Sequence, residues 1–172
     1  MKRIIIGQSV VEWVARHTGE FGNYGAAVGF GVEDLGPLIP CGTYIPPLNL
    51  APNPPPAIIA GVVFNDYNGV NMNMHVASDG SKRWMTRELL WMVFDYAFNQ
   101  AKVERLTGLV GEKNWQARKF DEHVGFTQET TLARAHPDGR LIVYRMFRED
   151  CRWLKIRSRH ESLQQSRLSM AA

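Results

Sequence analysis

SDGSKRWMTRELLWMVFDYAFNQ, Ser78 to Gln100, joins a tight polar turn to a long apolar helix, and the rest of the chain is organised around it. Gly80 permits the turn, and the helix opens near Trp84 or Thr86. Leu89, Val93 and Ala97, with Leu90, Phe94 and Phe98, recur at i, i+4 and i+8. Two adjacent apolar stripes predict a helix buried on most of its sides. The N-terminus of such a helix leaves backbone N–H groups unpaired at the positive end of its dipole, and Lys82 and Arg83 add two full charges beside them. That combination suits an anion. Taken alone it also describes a solvated basic loop before a core helix, which is the more frequent meaning of such a pattern.

With 172 residues and 45% hydrophobic content the chain can bury an ordinary core, which fits one domain better than two. The expected division is a domain over 1–154 and a basic extension over 155–172. No run of 18 apolar residues occurs, which excludes a membrane-spanning helix. The opening MKRIIIGQSVVEW is interrupted by Gln8 and Glu12 and lacks a small-residue cleavage site, so the chain reads as cytoplasmic. Cys41 and Cys151 have neither metal nor disulfide spacing and read as free thiols. From Arg145 onward seven Lys/Arg face three Asp/Glu, so the net charge of +3 belongs to the tail. The tail is either a solvated extension or an arm that touches nucleic acid or another subunit.

Upstream of the central stretch, Lys2 to Gly7 is a β-branched run, and Ser9 is placed to cap a helix through His17 with Val10, Val14 and Trp13 inward. A Gly-rich segment, Thr18 to Tyr24, ends it. Ala26 to Glu33, AAVGFGVE, reads as a strand despite its glycines. Leu35 to Pro56 then holds eight of the nine prolines, an extended excursion that can sustain neither ladder nor helix. A loop of that length either lies over a cleft, docks on another subunit or is passive; Tyr44, Leu48 and Leu50 give it apolar surface. Ala57 to Phe64 is an apolar strand, and Asn65 to Gly69 supplies turn chemistry. Val70 to Ala77 alternates, with Val70, Met72, Met74 and Val76 on one face and Asn71, Asn73, His75 and Ala77 on the other.

Downstream, Glu104 to Gly111 is a strand with Gly108 at its middle, and Asn114 caps a helix NWQARKFDEHV that points Ala117, Phe120 and Val124 inward and stops at Gly125. Phe126 to Ala135 and Leu141 to Phe147 form a hairpin across His136-Pro137-Asp138-Gly139. Strand, helix, three strands, helix, strand, helix and two strands imply an α/β (α+β) fold: one mixed sheet covered on both faces.

This order, together with Trp84-Met85-Thr86-Arg87-Glu88-Leu89 and with Asn114, Ala117, Phe120, Gly125 and Phe126 at their intervals, resembles the GNAT family of acetyl-CoA-dependent N-acetyltransferases. Within it the chain looks most like the branch of ribosomal-protein and amino-acid acetyltransferases, and like GNAT proteins encoded by bacteriophages. The resemblance runs from about Ala57 to Leu154 and implies a mostly antiparallel central sheet. In the family the loop before the central helix, Arg/Gln-x-x-Gly-x-Gly/Ala, holds the pyrophosphate of acetyl-CoA on backbone amides. The matching positions are Gly80, Ser81, Lys82, Arg83, Trp84 and Met85, followed by Thr86. Arg83 stands where the first motif glycine belongs and Met85 where the last small residue belongs. Either the cationic side chains contact phosphate themselves, or the pocket is partly filled.

The resemblance also implies that the strand carrying Val76 pairs with the pantetheine arm and polarises the thioester carbonyl through an amide near Val76. Gly108 then falls where two strands splay apart, and Asn114 matches an asparagine that bonds the pantetheine region. Seven residues later, where many members carry a tyrosine that protonates the leaving thiolate, this chain has Asp121, which can donate only if its pKa is raised well above about 4. His75 is the candidate base, because an unperturbed pKa of about 6.5 suits neutral pH, and Asn73 is placed to position an amine or a water. Glu33 and Asp34 read most simply as turn residues, His17 as a helix end, His123 as surface and His136 as turn. No metal ligand set is present. Two function classes follow: an acetyltransferase acting on an amine of a small molecule, a peptide N-terminus or a lysine, or a GNAT scaffold that binds without catalysis, as in a phage particle. A homo-oligomer fits either.

Overall fold

Among the described residues the chain runs through β1 (Lys2–Ile6), α1 (Gln8–Thr18), β2 (Val28–Asp34), β3 (Ala57–Asn65), β4 (Asn71–Ser78), α2 (Arg87–Asp95), β5 (Arg105–Gly111), α3 (Trp115–Val124), β6 (Thr127–His136) and β7 (Gly139–Phe147). This is the order that the hydrophobic pattern predicts. The computed structural model describes residues 2–18, 24–36, 57–81 and 84–155. The Gly-rich stop at 19–23, the proline-rich excursion from 37, Cys41, Lys82, Arg83 and the tail beyond Lys155 lie outside the described residues. The strands hydrogen-bond in the order β1-β2-β3-β4-β5-β7-β6, a mixed and mostly antiparallel sheet in which β4 and β5 run parallel. The chain divides into two compact units, Met1–Val63 with Val76–Trp84, and Phe64–His75 with Met85–Ala172.

In the first unit α1 lies close upon strand backbone. Val10, Val11 and Val14 are buried with Tyr24 and Val63, and Trp13 packs at the margin. A β-carbon at Gly31 would stand 2.8 Å from Val10 Cγ2, and one at Gly61 would stand 2.6 Å from Val14 Cγ2. The glycines of β2 and β3 therefore mark where a helix approaches, and they do not weaken the strand reading. Ser9 sits inside α1 rather than capping it; the helix begins at Gln8, and the Val10 amide donates to the Gly7 carbonyl. Glu33 belongs to β2 and pairs with Arg3 at 2.7 Å, while Asp34 Oδ1 accepts the Gly36 amide.

In the second unit the six stripe residues Leu89, Leu90, Val93, Phe94, Ala97 and Phe98 are all buried. Thr86 is the N-cap of α2, its hydroxyl accepting the Leu89 amide at 3.1 Å. The helix widens into a π-turn over Tyr96–Gln100, where the Ala101 amide reaches back to the Tyr96 carbonyl. Arg148 holds this turn by donating to the Phe98 carbonyl and to Asn99 Oδ1. Val70 precedes β4 and is 53% exposed, so it is not part of the apolar face that Met72 and Met74 form. Gly125, at φ 116°, ends α3 as its C-terminal glycine. Cys151 is buried and free.

Candidate active site

The pairing of β4 with β5 stops early. Asn71, Met72 and Asn73 pair with Arg105, Leu106 and Thr107, and no further pair is seen among the described residues of the second unit, although its part of β4 runs on to His75 and β5 to Gly111. On its other side β5 stays paired with β7 throughout, Gly108 opposite Tyr144. The residue just past the fork, Gly108, thus has one strand neighbour and no side chain. A fork in a parallel pair leaves backbone amides and carbonyls unpaired at the middle of a sheet, where an extended ligand can pair with them.

Asp121 stands over this glycine. Its Oδ2 would lie 3.3 Å from a β-carbon at position 108, and the residue is only 7% exposed. Burial, seconded by the neighbouring Glu122 carboxylate, pushes the Asp121 carboxyl up to about 7. The inward line of α3 is accordingly Asp121 and Val124, with Ala117 and Phe120 half-buried. Tyr144 lies beside it, fully buried, its hydroxyl donating to Glu122 Oε1 at 3.1 Å and accepting from Arg118 Nε at 3.5 Å.

Side chains alternate across a strand, so Thr107, Asn73 and His75 face away from α3. There they belong to a polar row. Thr107 Oγ1 donates to Asn71 Oδ1 at 2.7 Å and accepts from Arg105 Nε, and Arg105 makes a two-pronged contact with Glu129 at 3.0 and 2.5 Å. Asn73 Nδ2 donates to Asp66 Oδ2 at 2.9 Å. His75 Nε2 donates to Asn65 Oδ1 at 2.9 Å, and both residues are buried. Burial lowers the His75 pKa to about 4 against an opposing pull from Asp66. The expectation of an imidazole tuned near 6.5 is therefore corrected: the ring is neutral at pH 7 because it is desolvated. The sequence reading missed Asn65, Asp66 and Thr107. Asn65-Asp66 carried a signal, two polar residues ending an apolar strand, but it was absorbed into turn chemistry.

Of the other predicted site residues, Asn114 caps α3, its Oδ1 accepting the Ala117 amide at 3.1 Å and its Nδ2 making no hydrogen bond among the described residues. Thr86 caps α2, and Met85 just before it is half-buried. The first two helical amides, of Arg87 and Glu88, have no acceptor among the described residues. Val76, Ser81 and Trp84 belong to the first unit. There Val76 is half-buried, Trp84 is 6% exposed, and Ser81 Oγ is buried without a hydrogen-bond partner among the described residues. Lys82 and Arg83 lie outside the described residues. No group of His, Cys, Asp and Glu among the described residues could hold a metal ion, and none of their helices is long and apolar enough to cross a membrane.

Neither protein-family models nor curated protein sequences give a match to the chain. Solved structures do. Spermidine N-acetyltransferase from Vibrio cholerae, in complex with CoA and spermine, superposes with a TM-score of 0.60 at 12% identity, covering 87% of this chain and 96% of that one. Ribosomal-protein-S5-alanine acetyltransferase from Vibrio fischeri gives 0.51 at 14% identity, over 72% of this chain and 63% of that one. The likeness is one of backbone and not of sequence, and with its mixed sheet forked between β4 and β5 the chain has the fold of the GNAT acetyltransferases.

Proposed function

We propose that the protein transfers an acetyl group from acetyl-CoA to an amine. The observation that carries this reading is the fork after Asn73 and Thr107, with a glycine at its vertex and a protonatable carboxyl against that glycine. Acetyl-CoA would supply the thioester, whose C–S bond breaks as the N–C bond forms. The chain's own residues have three tasks. The open strand edges past Thr107 receive an extended arm, and Asn114 offers its free amide nitrogen to it. The amides of Arg87 and Glu88, at the positive end of α2, suit a diphosphate. Asp121, about half protonated near pH 7, donates a proton to the departing sulfur and is restored by solvent. Val76, Ser81, Lys82, Arg83 and Trp84 are assigned to the same donor on the sequence resemblance alone.

His75, neutral and buried, serves to hold this face of β4 in place, and the amine's proton leaves to water. An amine acceptor is supported by the substrates for which the structural neighbours are named, a polyamine and a protein alanine. One neighbour is described as dodecameric, which supports a homo-oligomer here. A second reading, a GNAT scaffold without catalysis, is favoured by Met85, half-buried at the position where the family's motif has its last small residue.

Thermal unfolding with acetyl-CoA separates the two. Donor at 100 times its dissociation constant adds roughly 2.7 kcal/mol, a rise of several degrees. No rise at millimolar acetyl-CoA supports the scaffold. A panel of amines assayed for acetyl-CoA-dependent thiol release then identifies the acceptor class. Deleting the residues after Leu154 and finding nucleic-acid retention unchanged across a salt series removes any role for the basic tail there.

A further inference from the structure

Asn71, Asn73 and His75 put two amides and an imidazole in a row on β4, an interior strand with β3 on one side and β5 on the other. Polar groups in such a place need partners on the neighbouring elements, because burial without them is costly. Each of the three has one, and the direction changes along the row. Asn71 Oδ1 accepts from Thr107 Oγ1 on β5 at 2.7 Å. Asn73 turns the other way and donates to Asp66, just past β3, at 2.9 Å, and His75 Nε2 donates to Asn65 Oδ1 at the end of β3. The switch falls between Asn71 and Asn73, and Asn73 with Thr107 is also the last pair of the β4–β5 ladder. Beyond Thr107 the next β5 side chain on this face is Leu109, which has no hydrogen bond to offer β4.

The tie to β5 is braced from the far side of the sheet. Thr107 is 8% exposed, and its hydroxyl donates to Asn71 while accepting from Arg105 Nε at 3.1 Å. Arg105 in turn is held by both oxygens of Glu129. Glu129 reaches it from β6, across β7, because the β6–β7 register slips between Gln128 and Thr130 and leaves Glu129 at a bulge, a feature that re-aims a side chain. One run of hydrogen bonds thus crosses from β6 to β4. The charged donor on the Thr107 oxygen strengthens the bond that its hydroxyl gives to Asn71. A parallel ladder of three pairs has few backbone bonds of its own, so this side-chain bond is a large part of what closes it.

We propose that this change of partner sets the fork: Thr107, with Arg105 and Glu129 behind it, latches β4 to β5 as far as the vertex, and Asp66 and Asn65 hold β4 off beyond it. Thr107 is then a positioning residue, an assignment that rests on the transferase reading above. It fixes the place on β5 where the open edge begins, and so how far an extended arm can slide toward Arg105 before it meets paired strand. Gly108, with the Asp121 carboxyl over it, is one residue past that stop. Without the latch the vertex retreats, and the thioester loses its register with Asp121 while the surfaces that hold the rest of the donor remain.

The test compares the full chain with Thr107→Val, which keeps the shape and removes the hydroxyl, with Thr107→Ser, which keeps the hydroxyl, and with Glu129→Ala, an exposed residue two strands from β5. Amide hydrogen exchange read by NMR needs no turnover. In Thr107→Val the amides of 71–73 and 105–107 should exchange about tenfold faster or more, with those across the β5–β7 pair within about twofold of wild type. Glu129→Ala should show the same pattern at smaller amplitude, and Thr107→Ser the wild-type pattern. In steady-state transfer from acetyl-CoA to an amine that the wild type accepts, kcat of Thr107→Val should fall about tenfold to a hundredfold, with Kd for CoA within about threefold. Thr107→Ser should restore it. Unchanged exchange at 71–73 and 105–107, or equal quickening throughout the core, overturns the latch. Localised quickening with kcat unchanged overturns the positioning role. A wild-type chain that acetyl-CoA fails to stabilise, and that releases thiol with no amine, overturns the transferase reading instead, and the exchange pattern still decides the latch.

Discussion

Asp121 and Gly108 are in tight contact: a β-carbon at 108 would stand 3.3 Å from the carboxyl oxygen Oδ2 and 3.5 Å from Tyr144 Cβ. Gly108→Ala therefore has to shift the carboxyl by a few tenths of an ångström. Overpacking of this kind costs about 1–3 kcal/mol. Chemical denaturation of the variant should show a loss at the lower end of that range, and turnover should fall further than stability explains, because the shifted carboxyl is misaligned with the fork. Turnover unchanged in a destabilised variant would detach Asp121 from the chemistry.

The same carboxyl makes stability depend on pH with a defined sign. A group raised from the ordinary carboxylate range to about 7 contributes stability at low pH, and that contribution is lost as pH climbs through 7. Asp121→Asn imitates the protonated form. Its melting temperature should match wild type below about pH 4, where the carboxyl is protonated folded and unfolded alike, and should exceed it increasingly as pH rises to 8. Its turnover should fall by about 10²-fold, the scale of general acid catalysis, and the alkaline limb near pH 7 should vanish from the rate profile.

Periodicity made the scaffold legible. The six-residue double stripe from Leu89 to Phe98 is buried throughout, and Asn114 and Gly125 cap α3 at the two ends where residue type alone places them. What the sequence could not carry was burial decided by tertiary neighbours. Asp121 looked like a charged helix residue, and His75 like an imidazole of ordinary basicity, because nothing local in the chain states how much water reaches them. Asp66 escaped for a different reason: its left-handed backbone and its contact to Asn73 on the next strand are not announced by residue type. The donor loop was legible only as a likeness, and its cationic centre at Lys82 and Arg83 lies outside the described residues.

His75 responds to pH with the opposite sign. Its pKa lies near 4 because burial disfavours the charged ring, so the stability it confers is complete above about 6.5 and is lost as pH falls toward 4. His75→Ala leaves the buried Asn65 amide oxygen without its donor, a defect of about 1–3 kcal/mol. Denaturant midpoints should show that deficit at pH 7.5 and a smaller one at pH 5, where wild type itself weakens. If His75 acts by structure, the rate profile of residual activity keeps its shape; disappearance of an acidic limb between pH 5 and 7 would restore it as a base.

In the first unit the close approach of α1 to the strands gives a sharp test of packing. An alanine at 61 would place its methyl 2.6 Å from Val14 Cγ2 and 2.8 Å from Val10 Cγ1, distances that no rotation of a β-branched side chain locked in a helix relieves easily. Gly61→Ala should lower stability by about 1–3 kcal/mol. Adding Val14→Ala should recover part of the loss in a double-mutant cycle, because the second change opens the space that the first one fills. Strict additivity of the two losses would show that α1 sits farther from β3.

Asn114 separates folding from binding within one side chain. Its Oδ1 caps α3 through the Ala117 amide, while Nδ2 is left to donate elsewhere. Asn114→Ala removes both and should cost about 1 kcal/mol of stability, the usual value of an N-cap, along with donor affinity. Asn114→Asp keeps an oxygen for the cap, and its negative charge is favourable at a helix N-terminus, so stability should hold or rise. Only the donated hydrogen bond is lost. Isothermal titration with CoA should then show weaker binding in a variant that melts no earlier than wild type. Binding unchanged in Asn114→Asp would confine this residue to the cap and remove it from the donor site, while leaving the fork and Asp121 untouched.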